Sequence, residues 1–307
     1  RFANGIPTKE PSIFYQRPWM GGRWGVREAI EYMLTADFAI LDLASSRPDH
    51  FILKAYEMAR ANIEAGEKGK PYAYIVPAEQ WDHSAALDML RRLAASGIAI
   101  RRSREGFQAG NKQYGEGSYV LLAAQPFRGY LMDLMEPQKY PELRLGVSGP
   151  TKRPYDVAGW TLPMQMNVQV DRVDEPFSAS LDLVTQVPET QNSLDYRENA
   201  SFITVAELLA KGAKVRRASD GAFLVEGIAR PEEFSKAAWE LRKPRVGLYE
   251  PNANMDTGWT QWLLDHYKIE HTLLKNDDIR RGDLRARFDV ILLAAQPASS
   301  ILHGVRE

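Results

Sequence analysis

Pro244-Arg-Val-Gly-Leu-Tyr249 opens the stretch whose reading decides the fold. A proline starts the unit, and residues 246–249 form a short apolar run of strand length. Residues 258–267 follow with helical texture, and residues 270–274 and Val290-Ile-Leu-Leu-Ala294 are two further strand-sized runs. That order predicts a doubly wound parallel sheet in which the first strand lies inside, flanked by the second and third. The third strand would then need a fourth beside it, because an open apolar edge recruits partners. The chain is therefore expected to continue past Glu307, and its start at Arg1 without Met reads the same way.

Upstream, strand and helix also alternate. Residues 72–76 read as a strand, 85–95 as a helix, 98–102 as a strand after Gly97, 118–123 as a strand and 129–135 as a short helix. Residues 202–209 return to helix, with Gly212 as the cap, then Val215 and residues 223–225 as strands. These two segments match: Gly97, Arg101 and Gly106 recur as Gly212, Arg216 and Gly221 at a constant offset of 115 residues. The match predicts a duplicated helix–strand–turn–strand unit forming one pseudo-symmetric domain. Paired arginines (Arg101 and Arg102, Arg216 and Arg217) read as exposed strand residues, with an anion site at a shared cleft as the alternative. Between the copies, residues 141–199 lose helical periodicity, and 160–170 and 178–187 read as strands of a projecting β insertion.

Ahead of all this, residues 1–25 are aromatic and punctuated by proline. Val26, Ile30, Met33, Leu34, Phe38 and Leu41 then recur on one helical face, and Phe51, Ile52, Ala55, Met58, Ala59 and Ile63 on a second. Ser46 and Pro48 mark the break, so an antiparallel helical hairpin is expected. The expected fold class is thus α/β: a helical hairpin, then a duplicated α/β domain with a β insertion, then a partial flavodoxin-like parallel sheet. The boundaries fall at 1–70, 71–243 (insertion at about 141–199) and 244–307.

Composition narrows the function. The chain has 307 residues, a net charge of −1 and no cysteine. A nearly neutral chain offers no electrostatic footprint for nucleic acid or an anionic membrane face. No apolar run reaches the ~18 residues of a spanning helix, so neither partner is expected. Lack of cysteine excludes thiolate catalysis and Cys-zinc sites. Zinc hydrolysis needs three protein ligands and an open position. None of the five histidines (His50, His83, His266, His271, His303) begins a His-x-x-Glu pair. Phosphate-loop, nucleophile-elbow and dinucleotide fingerprints are absent as well. Asp277-Asp278 and the pair Asp171 and Asp174 lie in charged, solvated stretches.

Trp19-Met-Gly-Gly-Arg-Trp24, Tyr72-Ala-Tyr-Ile-Val-Pro77 and Arg153-Pro-Tyr-Asp-Val-Ala-Gly-Trp-Thr-Leu-Pro163 resemble the region following the catalytic domain of large bacterial carboxypeptidase A-type zinc peptidases. Asp256-Thr-Gly-Trp-Thr-Gln-Trp262, with Asp289-Val-Ile-Leu-Leu293, is similar to the class I glutamine-amidotransferase-like domain that often ends such proteins. The resemblance runs in order along nearly the whole chain. It implies that zinc, its ligands, the substrate-binding arginine and the catalytic glutamate belong to a peptidase domain upstream of Arg1. That domain is the implied partner, and the implied location is secreted or periplasmic. No catalytic or metal residue carries over to this chain, and the amidotransferase nucleophile, a cysteine, is missing. The reading that follows is a non-catalytic accessory region of a protein hydrolysing C-terminal peptide bonds. The alternative is a peptide- or glycan-binding module in which Tyr155 and Trp160 stack on the ligand.

Overall fold

The computed structural model describes residues 5, 7–13, 15–139, 141–146, 149–152, 159–189, 193–237, 239–250 and 254–303. The chain divides into two compact units, residues 1–60 and 61–307.

In the first unit, Trp19 and Trp24 meet edge to face at 5.9 Å, and Trp24 leans on Tyr32 at 5.4 Å. Helix α1 (Val26–Ser46) begins where Glu28 accepts the Gly25 backbone N–H at 2.8 Å. Helix α2 (Pro48–Lys68) starts one residue after α1 ends, with proline at its first position. A single linking residue, Arg47 at φ −136° and ψ 50°, cannot reverse the chain. The expected antiparallel hairpin does not form: Phe38 and Leu41 of α1 and Ile52 and Met58 of α2, the faces it would bury, stay exposed. The apolar periodicity of α1 is real, yet none of its residues is buried.

The second unit is built on β1 (Ala73–Val76), α3 (His83–Ala95), β2 (Arg101–Ser103), the hairpin β3 (Phe107–Ala109) and β4 (Lys112–Tyr114), β5 (Tyr119–Leu122) and α4 (Arg128–Met135). The run Ala73-Tyr-Ile-Val76 is fully buried because both faces of the sheet are covered. Tyr74 and Val76 face a core with Leu87, Leu90 and Leu93 of α3 and Leu131 of α4. Ala73 and Ile75 face a second core capped by Phe107 and Tyr114 of the hairpin.

The segment read as a β insertion is different. Residues 162–166 form a short helix, α5 (Leu162–Met166), with proline in its first turn. The strands β6 (Asp171–Val173) and β7 (Leu181–Leu183) do not project; they extend the sheet to the order β6-β1-β5-β2-β7, antiparallel throughout. The free edges of β1 and β2 supply unpaired backbone groups, and these two segments satisfy them.

Helix α6 (Asn199–Ala210), β8 (Val215–Arg217), β9 (Phe223–Val225), α7 (Pro231–Lys236) and β10 (Trp239–Leu241) form a small three-stranded module ordered β10-β8-β9. Its likeness to the 93–107 segment stops halfway. Both helices end on a left-handed glycine, Gly97 at φ +88° and Gly212 at φ +79°. Each is followed by the same 3.0 Å bond, Ile98 N–H to Leu93 and Ala213 N–H to Leu208. Beyond the caps, β8 pairs with β9, whereas β2 pairs with β5 and β7, and β3 turns into a separate hairpin. The expected pseudo-symmetric domain is not formed. A helix, glycine cap and basic strand is a local texture that two different sheets have each accommodated.

Last come β11 (Val246–Tyr249), α8 (Met255–His266), β12 (His271–Leu274), α9 (Asn276–Arg280), α10 (Leu284–Arg287), β13 (Val290–Leu293) and α11 (Ala298–His303). The three strands are parallel in the expected order β12-β11-β13. Among the described residues β13 is an edge, with Val290 and Leu293 about half exposed.

Candidate functional site

Trp160 is 46% exposed and lines none of the four clefts described below. Its neighbour Thr161 is buried and donates to the Glu136 carbonyl at 2.8 Å. Tyr155, its expected stacking companion, lies outside the described residues. The paired arginines do not meet at a shared cleft. Arg102 lies over the Tyr119 ring and Arg217 over Phe223, while Arg216 donates to the Phe234 carbonyl. Asp171 pairs with Lys112, Asp174 with Arg172, and Asp277 with Arg280. Among the described residues no group of three or more His, Cys, Asp or Glu side chains is placed to hold a metal.

One polar cleft, of about 480 Å³, opens beyond the C-terminal end of β1. Asp82, next in the chain to the lining residues His83 and Ser84, is 2% exposed and accepts the N–H of Ala85 at 2.8 Å and of Asn199 at 2.9 Å. One carboxylate thus caps α3 and ties it to α6. Ser84 donates to Glu198 at 2.5 Å, while His83, Arg102, Glu116 and Glu189 complete the walls. His83 and Ser84 are successive on a helix and project about 100° apart. They do not form a nucleophile–base pair, and the serine proton is already committed to Glu198.

A second cleft, of about 560 Å³, lies where α3, α5, α6 and α8 converge. Asp88 and Arg91 enter from α3, Asn167 from the end of α5, Asn199 and Ile203 from α6, and Trp262, His266 and Tyr267 from α8. Trp262 stacks on His266, four residues and one turn away, at 5.5 Å and 13°. Trp259 meets Trp262 at 6.3 Å. Trp259 and Trp262 are 67% and 55% exposed, so they do not serve as core. Burial raises the Tyr267 hydroxyl above the ordinary tyrosine range, with the Asp82 charge adding to it. Asn167 sits in the left-handed region at φ 53° and ψ 42°. The sequence holds one signal for this site that the reading above did not use: Trp259, Trp262 and His266 at i, i+3 and i+7 share a helical face.

Two shallower clefts lie near Pro137 and Met164, and at the N-terminal ends of β11 and β12. In the latter, Lys243 is paired with Glu270 at 2.5 Å and Arg245 with Asp289.

No protein-family model, no curated protein and no solved structure matches this chain.

Proposed function

We infer that the chain is an accessory, non-catalytic region of a zinc-carboxypeptidase-like protein whose peptidase domain lies upstream of Arg1. The observation that carries the reading is the three-stranded parallel sheet at residues 246–293, ordered β12-β11-β13. A sheet of that order begins a flavodoxin-like domain, and the resemblance to the amidotransferase-like domain requires one at this position. Asp256–Trp262 of that resemblance occupies the helix after its first strand. In this reading the parent hydrolyses C-terminal peptide bonds with zinc-activated water in a secreted or periplasmic setting, and this chain packs beside the catalytic domain.

The test is made on both polypeptides. Codons upstream of Arg1 should encode a His-x-x-Glu pair followed by a later histidine. The complete product should bind zinc and release C-terminal residues from a blocked dipeptide. Residues 1–307 by themselves should do neither. An equimolar zinc held by residues 1–307, or an upstream sequence without those ligands, refutes the reading.

A further inference from the structure

Helices α1 and α2 each carry an apolar face, and neither can cover the other within one chain. Arg47 alone joins them. Its N–H bonds the Ala44 carbonyl at the end of α1, and its own carbonyl accepts the Phe51 N–H at the start of α2. Two antiparallel helices need a loop of about 2–5 residues between them. On α1, apolar residues take more than half of the circumference, with Asp37 the one charge among them. On α2, the helical spacing sets Ala55 and Ala59 between Phe51 and Met58 on one side and Ile52 and Tyr56 on the other, a groove with a floor of small residues. Ile30, Met33, Leu34 and Leu41 of α1 are the row of large side chains that such a groove takes, and all four are exposed.

The linker selects what covers these faces. Two complementary helices that one chain cannot fold together can pair by exchange between two copies. We propose that residues 26–60 form a two-fold dimer in which α1 of each copy packs antiparallel on α2 of the other. The exchange is reciprocal, so it closes at two copies. The area suffices. The exposed large apolar side chains of residues 26–60 present on the order of 1,000 Å² per copy, against ~800 Å² per partner in a standard interface. Charge agrees as well. Asp37 has no ion pair in the single chain. In the register that sets Met33 against Met58 of the second copy, Asp37 meets Lys54, whose present partner Glu57 is an exposed pair of little strength. Lipid is the poorer cover: α1 carries Glu28, Glu31, Asp37 and Asp42 against Arg27 alone, whereas helices lying on a membrane carry Lys and Arg on the polar face. The dimer goes beyond the accessory role inferred above and does not rest on it.

Sedimentation equilibrium of residues 1–307 tests the proposal, whatever the sequence upstream encodes. Interfaces of this size hold with a Kd of ~1 μM or tighter, so at ~100 μM the mass should be twice 34.7 kDa. Leu41→Glu and Ile52→Glu should each weaken the dimer about tenfold or more, because each sets a charge in the apolar seam. Cross-linking decides the pairing without relying on those variants. The chain has no cysteine, so Met33→Cys and Met58→Cys give single reporters. Mixed as two differently tagged proteins, they should be bridged between copies by a bis-maleimide spanning ~10 Å, about one helix diameter. Neither should be bridged to itself. A mass that stays at 34.7 kDa at ~100 μM overturns the proposal. So does a dimer that both glutamate variants leave intact, or one in which Met33→Cys is bridged only to itself, which is α1 on α1. Association seen only when phosphatidylcholine vesicles are added overturns it as well.

Discussion

The Tyr74 hydroxyl donates to a Glu136 carboxylate oxygen at 2.6 Å, and Arg172 reaches that same oxygen at 2.6 Å. Three elements are thereby joined: β1 through Tyr74, the end of α4 through Glu136, and β6 through Arg172. Tyr74 is 1% exposed, so its hydroxyl needs this partner. Burial first, and the Glu136 hydrogen bond second, raise its ionisation well above the ordinary tyrosine range. A folded-state value above the unfolded value of ~10 means stability is complete below that pH and is lost as pH rises above it. Tyr74→Phe should cost about 1–2 kcal/mol near neutrality, since Glu136 keeps Arg172. Its stability should also fall less steeply above pH ~10, by up to ~1.4 kcal/mol per pH unit for this one group. Urea midpoints across the alkaline range check both. Parallel slopes for parent and variant would remove Tyr74 from the account.

Asp289 has the opposite sign. Its carboxylate takes the Arg245 guanidinium at 3.0 and 3.2 Å, the Arg245 backbone N–H at 2.9 Å and Arg242 at 3.0 Å. The Arg245 side chain, then its backbone N–H, hold this carboxyl well below the usual range. The clamp fastens the starts of β11 and β13 together. A depressed folded value gives stability that is present above the unfolded value of ~3.9 and lost as pH falls below it. Asp289→Asn should therefore lower the melting temperature at neutral pH, and the gap to the parent should hold down to pH ~4 and narrow progressively as the pH falls below it. A gap that stays constant would mean the ion pair contributes nothing through its charge.

Strands buried on both faces were the most legible part of the fold. Residues 246–249 and 223–225 were read to the residue, because short apolar runs between Pro, Gly and polar segments leave little choice. Pairing was not legible where it depends on distant chain. Nothing within residues 171–173 or 181–183 says that they complete the two edges of a sheet whose other strands come from residues 73–122. The hairpin after α1 failed for a local reason, a linker of one residue. The cleft at Trp262 was not legible because its lining from α3, α5 and α6 is remote in sequence from α8, while Trp160, singled out for stacking, does not line it.

Gly66 is a helical glycine with a packing reason. It is buried near the end of α2, and a Cβ there would come within 2.5 Å of the Ala123 carbonyl carbon and the Ala124 Cα, both backbone atoms. Gly→Ala in a helix ordinarily gains ~1 kcal/mol. Here backbone cannot step aside as a side chain would, and overpacking costs about 1–3 kcal/mol. Gly66→Ala should therefore be destabilising in chemical denaturation, against its helix propensity. A stabilised variant would show that this turn of α2 does not rest against residues 123–124.

Gly97 and Gly212 end their helices with the same hydrogen bonds and nearly the same positive φ, but in different surroundings. A side chain at Gly212 meets nothing within 4 Å. Gly212→Ala should then cost only the left-handed penalty, about 1–2 kcal/mol. A Cβ at Gly97 would lie 2.9 Å from Cε2 of Phe127 and 3.3 Å from its Cδ2. Phe127 is half exposed, so its ring can yield, though only by giving up contacts. Gly97→Ala should cost more than Gly212→Ala, by about 1 kcal/mol. The excess belongs to one ring, which makes it separable: in a Phe127→Ala background, Gly97→Ala should fall back to the Gly212→Ala cost. A double-mutant cycle at these neighbouring positions measures the coupling. Zero coupling, with Gly97→Ala still the costlier change, would place the difference in the backbone of the α3 cap and not in the ring.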